Sequence, residues 1–249
     1  MIRPWLIKAG GELMVPGPDR TKILAGIARI QKRRPVVFVH GGGPQIEQEL
    51  LRNKIPTRFV KGRRFTSPAA MVHVERVLSG QINKGLAAEL SAKGTAAVGL
   101  SARDGKTVTA KPVAGLGRAG KPAAINVKLV QALLKSGFLP VISSVGSDTK
   151  GQPININADD VASALAIKLK AANLIFLTNI SGVLDQKKQR IPVLRINSID
   201  KLISTHVITG GMIPKVQSAR AAIRKGVGEV DIVNGKKGID FKHGTRICE

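Results

Sequence analysis

The sequence contains no tyrosine, one tryptophan and one cysteine, Cys248, among its 249 residues. A single cysteine excludes an internal disulfide and is typical of a reducing compartment. No apolar run approaches the roughly 18 residues that a membrane-spanning helix needs. Residues 1–4 lack the apolar segment and cleavage site of a signal peptide. These absences predict a cytoplasmic protein with no membrane segment.

Acidic residues are also scarce, because 16 Asp and Glu stand against 40 Lys and Arg, a formal net charge of +24. Such a charge can bind nucleic acid, attract anionic substrates or dock an acidic protein. Nucleic-acid modules usually concentrate their charge and add stacking aromatics. Here the basic residues are spread along the chain and aromatic residues are 3%. We therefore expect a basic surface with an anion-binding cleft, and nucleic-acid binding is the lesser alternative.

Two motifs resemble sites for other chemistries but lie in the wrong sequence context, and the histidines form no metal-binding motif. The sequence Gly115-Leu-Gly-Arg-Ala-Gly120 matches a dinucleotide fingerprint in letters only, because no helix follows it and no acidic residue lies about 20 positions on. Gly105-Lys106-Thr107 resembles the end of a P-loop, but the preceding glycine is one residue too far away. The histidines have no metal-ligand spacing, so no protein-held metal is predicted; they are His40, His73, His206 and His243.

Short apolar strands alternate with amphipathic helices along the chain. Strands are predicted at 4–9, 36–40, 96–100, 139–143, 174–178, 229–233 and 245–248, with strand pieces in a hairpin at 106–120. Helices are predicted at 19–32, 44–54, 67–79, 80–92, 127–136, 159–170 and 210–225. This alternation favours a mainly parallel sheet covered on both faces. Ligands of such sheets lie beyond the carboxyl ends of the strands.

Two of these strands end in glycines. The strand 36–40 runs into Gly41–Gly43, and the strand 4–9 carries Lys8 and ends at Gly10 and Gly11. Glycines let the backbone approach a ligand without a Cβ in the way, and the N–H groups that open the following helix suit a phosphate or a carboxylate. The pair of loops therefore predicts an anion site, although each alone could be an ordinary strand-to-helix turn.

Five short motifs occur in order along the chain. They are Lys8-Ala9-Gly10-Gly11, His40-Gly41-Gly42-Gly43, Arg64-Phe65-Thr66, Asn155-Ile156-Asn157-Ala158-Asp159 and Gly210-Gly211-Met212-Ile213-Pro214-Lys215. In these motifs and their spacing the chain resembles the amino acid kinase family from end to end. The resemblance implies a three-layer α/β/α sandwich with a mainly parallel central sheet of about eight strands. It implies an N-terminal lobe, about 1–150, that binds an acyl amino acid, and a C-terminal lobe, about 151–249, that binds ATP.

Within the family, the chain looks most like the members that phosphorylate N-acetyl-L-glutamate. The implied reaction transfers a phosphoryl group from ATP, with Mg²⁺ carried by the nucleotide, to the side-chain carboxylate, as the second step of arginine biosynthesis. The resemblance also implies a homodimer. The arginine-inhibited hexamers of the family carry an extra N-terminal helix, and this sequence begins directly at its first strand, so no arginine feedback is expected.

The resemblance also assigns roles to individual residues. Lys8 and Lys215 would stabilise the transferring phosphoryl group, and Asp159 would hold both lysines, although its position also suits a helix cap. Arg64, rather than a solvated Arg63, would bind the α-carboxylate. The substrate-binding residues would be Gly42, Gly43, Arg64 and Asn155. The ATP-binding residues would be Gly10, Gly11, Asn179, Ile180, Ser181, Gly182, Val183, Leu184, Val207, Ile208 and Thr209.

One departure and one alternative stay open. The family usually has aspartate where this chain has Asn179, and the loss of that charge bears on the fine positioning of the nucleotide or of Asp159. The alternative substrate is aminoadipate or glutamate attached to an acidic carrier protein, and the +24 charge favours it. The carrier-linked enzymes tend to have glycine where Ala158 stands, and this favours the free substrate.

Overall fold

An eight-stranded sheet forms the centre of the computed structural model, which describes residues 2–60, 62–210 and 212–249, apart from the side chain of Pro214. Gly211, in the last of the five motifs, lies outside these ranges. The strands are β1 (Trp5–Ala9), β2 (Val36–His40), β3 (Phe59–Val60), β4 (Arg63–Arg64), β5 (Ala97–Ser101), β6 (Val108–Pro112), β7 (Ala119–Ile125), β8 (Leu139–Ser143), β9 (Val145–Ser147), β10 (Pro153–Ile156), β11 (Asn173–Thr178), β12 (Val193–Arg195), β13 (Glu229–Asn234) and β14 (Gly244–Cys248).

The strand order in the sheet is β12-β14-β13-β11-β1-β2-β8-β5. The six strands from β13 to β5 run parallel, and β14 and β12 run in the opposite direction at one edge. The predicted fold is therefore confirmed, with β1 and β2 as neighbours in the middle of the six parallel strands. Because these strands are parallel, the glycine loops that follow β1 and β2 emerge side by side.

Helices cover both faces of the sheet. They are α1 (Pro18–Gln31), α2 (Gly43–Arg52), α3 (Pro68–Glu75), α4 (Asn83–Ala92), α5 (Lys128–Lys135), α6 (Ala158–Leu169), α7 (Ile199–Ser204) and α8 (Met212–Arg224). Successive residues of β1 alternate between the two cores, because Ile7 packs with α1–α4 and Leu6 packs with α5, α6 and α8. Each fully buried side chain of this size contributes about 1.5–3 kcal/mol. Among the described residues, no helix is long and apolar enough to cross a bilayer.

The segment from α3 to α4 is one helix rather than the two that were predicted. The backbone stays helical through Arg76 (φ −57°, ψ −49°) and Ile82 (φ −70°, ψ −52°). Between them, residues Arg76–Ile82 form a wide π-helical turn. The helix begins with a cap, since the Ser67 hydroxyl accepts a hydrogen bond from the Ala70 N–H at 3.1 Å. The expected break near Ser79 is therefore a change of helical pitch.

A small closed barrel lies beside the central sheet. The predicted hairpin at 106–120 corresponds to β6 and β7, which pair antiparallel. The sequence did not predict that β9 and β10 close this hairpin into a four-stranded barrel. Residues 59–60 and 63–64, where no strand was predicted, pair as a short hairpin. The barrel and this hairpin bring Asn155 and Arg64 to the same side of the sheet as the glycine loops.

Candidate active site

The two glycine loops pack backbone against backbone. A Cβ on Gly11 would lie 2.5 Å from the Gly43 nitrogen and 2.7 Å from the Gly42 Cα. The Gly41 N–H donates to the Ala9 carbonyl at 3.0 Å, which joins the ends of β1 and β2. No other residue fits at position 11 without moving the neighbouring loop, so the glycine there is a steric requirement.

One carboxylate joins two lysines from opposite ends of the sequence. Asp159 Oδ1 lies 2.8 Å from Lys8 Nζ, and Asp159 Oδ2 lies 2.9 Å from Lys215 Nζ. The Asp159 N–H donates to the Asn157 side chain at 2.8 Å, so Asp159 stands in the first turn of α6. Burial would raise the pKa of the Asp159 carboxyl, but the two lysine charges outweigh burial and lower the pKa to about 2. The aspartate is therefore ionised and holds both ammonium groups.

Three adjoining cavities surround this cluster. The Arg64 cavity, about 190 Å³, is lined among others by Lys8, Gly10, Gly11, Gly42, Gly43, Arg64 and Asn155. The bridging cavity, about 300 Å³, shares Lys8, Gly10, Gly11 and Gly43 with the first. The large cavity, about 730 Å³, shares Thr178 and Lys215 with the bridging cavity. Lys8 thus lies at one boundary and Lys215 at the other, so the cavities form one continuous cleft.

In the Arg64 cavity, the guanidinium is held on several sides. The Arg64 side chain is 5% exposed and donates to the Thr57 hydroxyl and to the Gly43 carbonyl, the latter at 3.2 Å. It also stacks over the Phe59 ring at 4.6 Å. Its carboxylate neighbour Glu47 is 3.6 Å away and 58% exposed, so the guanidinium can still receive an anionic ligand.

Two further polar side chains border the same cavity. The Asn155 amide donates to the Thr66 hydroxyl at 3.1 Å, and that hydroxyl donates to the Arg64 carbonyl. Arg63 was expected to be solvated, and this was wrong. Its guanidinium lies 2.7 Å from the Asp160 carboxylate in the first turn of α6, because the opposite charges form a charge-assisted hydrogen bond.

The large cavity has a mostly apolar wall. Seven of the predicted ATP-binding residues line it: Ile180, Gly182, Val183, Leu184, Val207, Ile208 and Thr209. Asn179 instead borders the bridging cavity, where its amide donates to Glu12. Ser181 lines none of the three cavities, and its hydroxyl accepts from the Asn234 amide at 3.2 Å.

Several lining residues were missed by sequence reasoning. Glu12 follows the Gly10-Gly11 pair directly, so its position next to a phosphate-type loop was a usable signal. Phe59 and Leu78 carry no such signal, because they reach the Arg64 cavity only through the packing of distant elements. His206 lines the large cavity with a left-handed backbone (φ 55°), which a sequence does not reveal.

A protein-held metal ion finds little support in these side chains. Among the described residues, no group of three or more histidine, cysteine or acidic side chains comes together. Both carboxylate oxygens of Asp159, in the middle of the cleft, face lysines. Mg²⁺ is usually bound through substrate phosphates plus one or two carboxylates, and that mode needs fewer protein ligands than a site built from protein side chains alone.

Comparisons with known proteins agree with this geometry. The amino acid kinase family model matches residues 3–234. An acetylglutamate kinase of Endomicrobium trichonymphae is 42% identical over 242 residues, covering 97% of this chain and 97% of its own length. The acetylglutamate kinase of Geobacillus stearothermophilus is 40% identical over 243 residues, covering 96% of this chain and 93% of its own length.

Solved structures give the same picture of the fold. A protein of Streptococcus mutans UA159 superimposes with a TM-score of 0.84 at 31% identity, covering 98% of each chain. Carbamate kinase from Giardia lamblia, bound to AMP-PNP, has a TM-score of 0.74 at 18% identity, covering 100% of this chain and 99% of its own. At that identity the second likeness concerns the fold alone.

Proposed function

The chain belongs to the amino acid kinase family, and from that premise we propose that it phosphorylates the side-chain carboxylate of N-acetyl-L-glutamate with ATP, a step of arginine biosynthesis. The observation that carries this proposal is the Lys8–Asp159–Lys215 cluster, which lies where a cavity for a small carboxylate meets a cavity for a nucleotide. The relatives at about 40% identity and nearly full length support the same reaction.

The reaction needs charge neutralisation more than it needs a base. A side-chain carboxylate has a pKa of about 4.3 and is already ionised at neutral pH. One of its oxygens forms a bond to the γ-phosphorus while the bond from that phosphorus to the bridging oxygen of ADP breaks. Lys8 and Lys215 would neutralise the transferring oxygens. Asp159, with its pKa near 2, would position the lysines and take up no proton.

The Arg64 cavity would hold the acceptor. Its volume, about 190 Å³, suits a small acylated amino acid. Arg64 would bind the α-carboxylate through two parallel hydrogen bonds, and Asn155 would contact the acetyl-amide part. The Gly42 and Gly43 N–H groups would face the acyl phosphate. The division into a substrate lobe, about 1–150, and an ATP lobe, about 151–249, is part of this proposal, with Asn155 contributed across it.

ATP would occupy the large and bridging cavities. The apolar wall around Val183 and Ile208 would hold the adenine, and the Gly10 and Gly11 amides would hold the phosphates. Mg²⁺ would arrive with the nucleotide and neutralise part of its charge. A homodimer stays a prediction from the family resemblance, and a cytoplasmic location stays a prediction from the composition of the sequence.

A carrier-linked acidic substrate is the second candidate, and the +24 charge supports it, because a basic surface attracts an acidic carrier. A non-catalytic nucleic-acid-binding protein is the third. The two ion-paired lysines, Lys8 buried and Lys215 half-buried, argue against that reading, since such a protein would have no need for them.

The test is ATP turnover on free N-acetyl-L-glutamate, with the acyl phosphate trapped as a hydroxamate. Wild type, Lys8→Ala and a control, Lys32→Ala at the exposed end of α1, are compared. Hydroxamate that forms in wild type and Lys32→Ala but not in Lys8→Ala supports the proposal. ATP binding without turnover points to a carrier-linked substrate. Salt-sensitive duplex DNA binding without turnover points to the non-enzyme.

A further inference from the structure

The π-helical turn Arg76–Ile82 packs directly on the Gly41–Gly43 loop. A Cβ on Gly42 would lie 2.5 Å from Ile82 Cδ1 and 2.7 Å from Leu78 Cδ2. Both contacts come from the wide turn, and Asn83 follows it immediately. Such turns are rare and frequently lie at functional sites. The turn is therefore closely packed against the loop that borders the Arg64 cavity.

The Asn83 side chain fixes the protonation of a buried histidine. Its amide nitrogen lies 2.9 Å from the Val141 carbonyl and 3.0 Å from His40 Nε2. The carbonyl can only accept, so the nitrogen faces it with one proton and gives its second proton to His40. Nε2 must then be the unprotonated nitrogen, and Nδ1 carries the ring proton.

The protonated Nδ1 sets the orientation of one peptide group. It lies 3.1 Å from the Gly41 carbonyl, to which it donates. In a planar trans peptide, the carbonyl of Gly41 and the N–H of Gly42 point in opposite directions. Within the described ranges, no protein acceptor pairs with that N–H, and Gly42 borders the Arg64 cavity. Holding the carbonyl toward His40 thus keeps the N–H turned away from it.

We propose that Asn83 and His40 are positioning residues that hold the Gly42 N–H toward the transferring phosphoryl group. The path runs from the Val141 carbonyl through the Asn83 amide and the His40 ring to the Gly41–Gly42 peptide, while Leu78 and Ile82 prevent that loop from shifting. This inference rests on the proposed phosphoryl transfer. Neither side chain touches substrate.

The environment of His40 supports this arrangement. Its side chain is fully buried, and burial is the main reason that its pKa is lowered to about 4. The positive charge of Arg20 lowers the pKa further, whereas the hydrogen bond to Gly41 raises it. The ring is therefore neutral at neutral pH, as the path requires.

The kinetic test uses two substitutions that each keep one of the two ring contacts. His40→Asn places an amide nitrogen where Nδ1 stands and keeps the donor to Gly41. His40→Gln places an amide oxygen where Nε2 stands and keeps the Asn83 contact only. Removing a well-placed hydrogen-bond donor to the transition state lowers kcat about 10²- to 10³-fold. In His40→Gln the Gly42 N–H is still present but no longer correctly oriented, so we expect kcat to fall at least tenfold.

We expect His40→Asn to retain at least threefold more kcat than His40→Gln, with the Kd for ATP unchanged within twofold in both. A packing role alone predicts the reverse, because glutamine fills the histidine volume better. A His40→Gln enzyme that is folded, by thermal unfolding, and at least as active as His40→Asn would overturn the proposal. His243→Gln, at an exposed histidine, is the control and should keep its activity.

A second measurement does not depend on turnover or on the variants folding. Nitrogen NMR of the full chain with labelled histidine distinguishes the two neutral tautomers of His40. We expect the Nδ1-protonated form, whereas an Nε2-protonated ring in wild type would overturn the path. If wild type shows the expected tautomer but makes no hydroxamate, the proposed function fails while the hydrogen-bond path stands.

Discussion

The two ends of the cleft are built differently. At the Arg64 end, charged side chains are buried and paired, with Lys8 10% exposed and Arg64 5% exposed. At the nucleotide end, loop residues form the wall, and Ile180 and Leu184 are 47% and 37% exposed. In the proposed reaction, the groups that neutralise charge would therefore be fixed in advance, while the nucleotide would meet an open apolar surface.

This difference has a physical reason. Transition-state charge is stabilised only by groups already in position, because reorganisation at the moment of reaction is costly. A nucleobase needs mainly apolar contact area, which loops can supply. Substitutions at the Arg64 end should therefore change kcat or the KM for the acyl amino acid. Substitutions at the nucleotide end should change the KM for ATP.

The largest effect is expected from Asp159→Asn. Both lysines lose the charge that holds them, so kcat should fall at least about 100-fold, or about 2.7 kcal/mol. The matched variant is Asp160→Asn, which removes the neighbouring charge that pairs with Arg63 rather than with a lysine of the cluster, and its kcat should fall less than fivefold. Steady-state kinetics of the two variants decides this, and equal losses would contradict the positioning role of Asp159.

Arg64→Lys should raise the KM for N-acetyl-L-glutamate about 10- to 100-fold. A lysine cannot make two parallel hydrogen bonds to a carboxylate and loses the support of Thr57 and Phe59. The KM for ATP should stay within twofold. Arg63→Lys is the comparison, and it should change the acceptor KM by less than fivefold. A rise in the ATP KM that matched the acceptor effect would remove the distinction between the two ends.

At the nucleotide end, Gly182→Ala should raise the KM for ATP severalfold. Gly182 has φ +96°, and an added Cβ would lie 2.4 Å from the Thr245 hydroxyl oxygen, so the loop must move. Gly226→Ala is a matched control with φ +95° and open space around its Cβ. Both variants should lose about 1–2 kcal/mol of stability from backbone strain. Only Gly182→Ala should change the KM for ATP. Steady-state kinetics and thermal unfolding of both variants measure the two effects separately.

Asn179→Asp should have the smallest effect, a two- to fivefold rise in the KM for ATP. The new carboxylate would face Glu12, which now accepts the Asn179 hydrogen bond, and two like charges repel. Adding Glu12→Gln should restore the wild-type KM. A double-mutant cycle measures this coupling, and an unchanged KM in Asn179→Asp would show that the departure from the family aspartate carries no charge effect.

Much of the reacting end could be predicted from sequence. Lys8 and the glycine loops follow strands of a parallel sheet, whose carboxyl ends meet at one edge. Asp159 and Lys215 entered through the family motifs, and the structure brings both to Lys8. Local strand patterns and the shared edge therefore explain where Lys8 and the glycine loops lie, whereas the roles of these residues stay predictions.

The remaining parts depend on packing between distant segments. The π-helical turn looks like an ordinary helix in sequence, since its extra residue changes no apolar pattern over a few positions. The barrel closes through β9 and β10, which are three and four residues long and carry little periodicity. The Arg63–Asp160 pair joins residues 97 positions apart. Such contacts appear only when the chain is folded.

The most direct measurement is a crystal structure with a non-hydrolysable ATP analogue and N-acetyl-L-glutamate bound together. We expect the γ-phosphoryl group between Lys8 Nζ and Lys215 Nζ. We also expect the side-chain carboxylate in line with that group and the α-carboxylate on Arg64. A γ-phosphoryl group bound away from both lysines, or an acceptor outside the Arg64 cavity, would contradict the proposed roles of these residues.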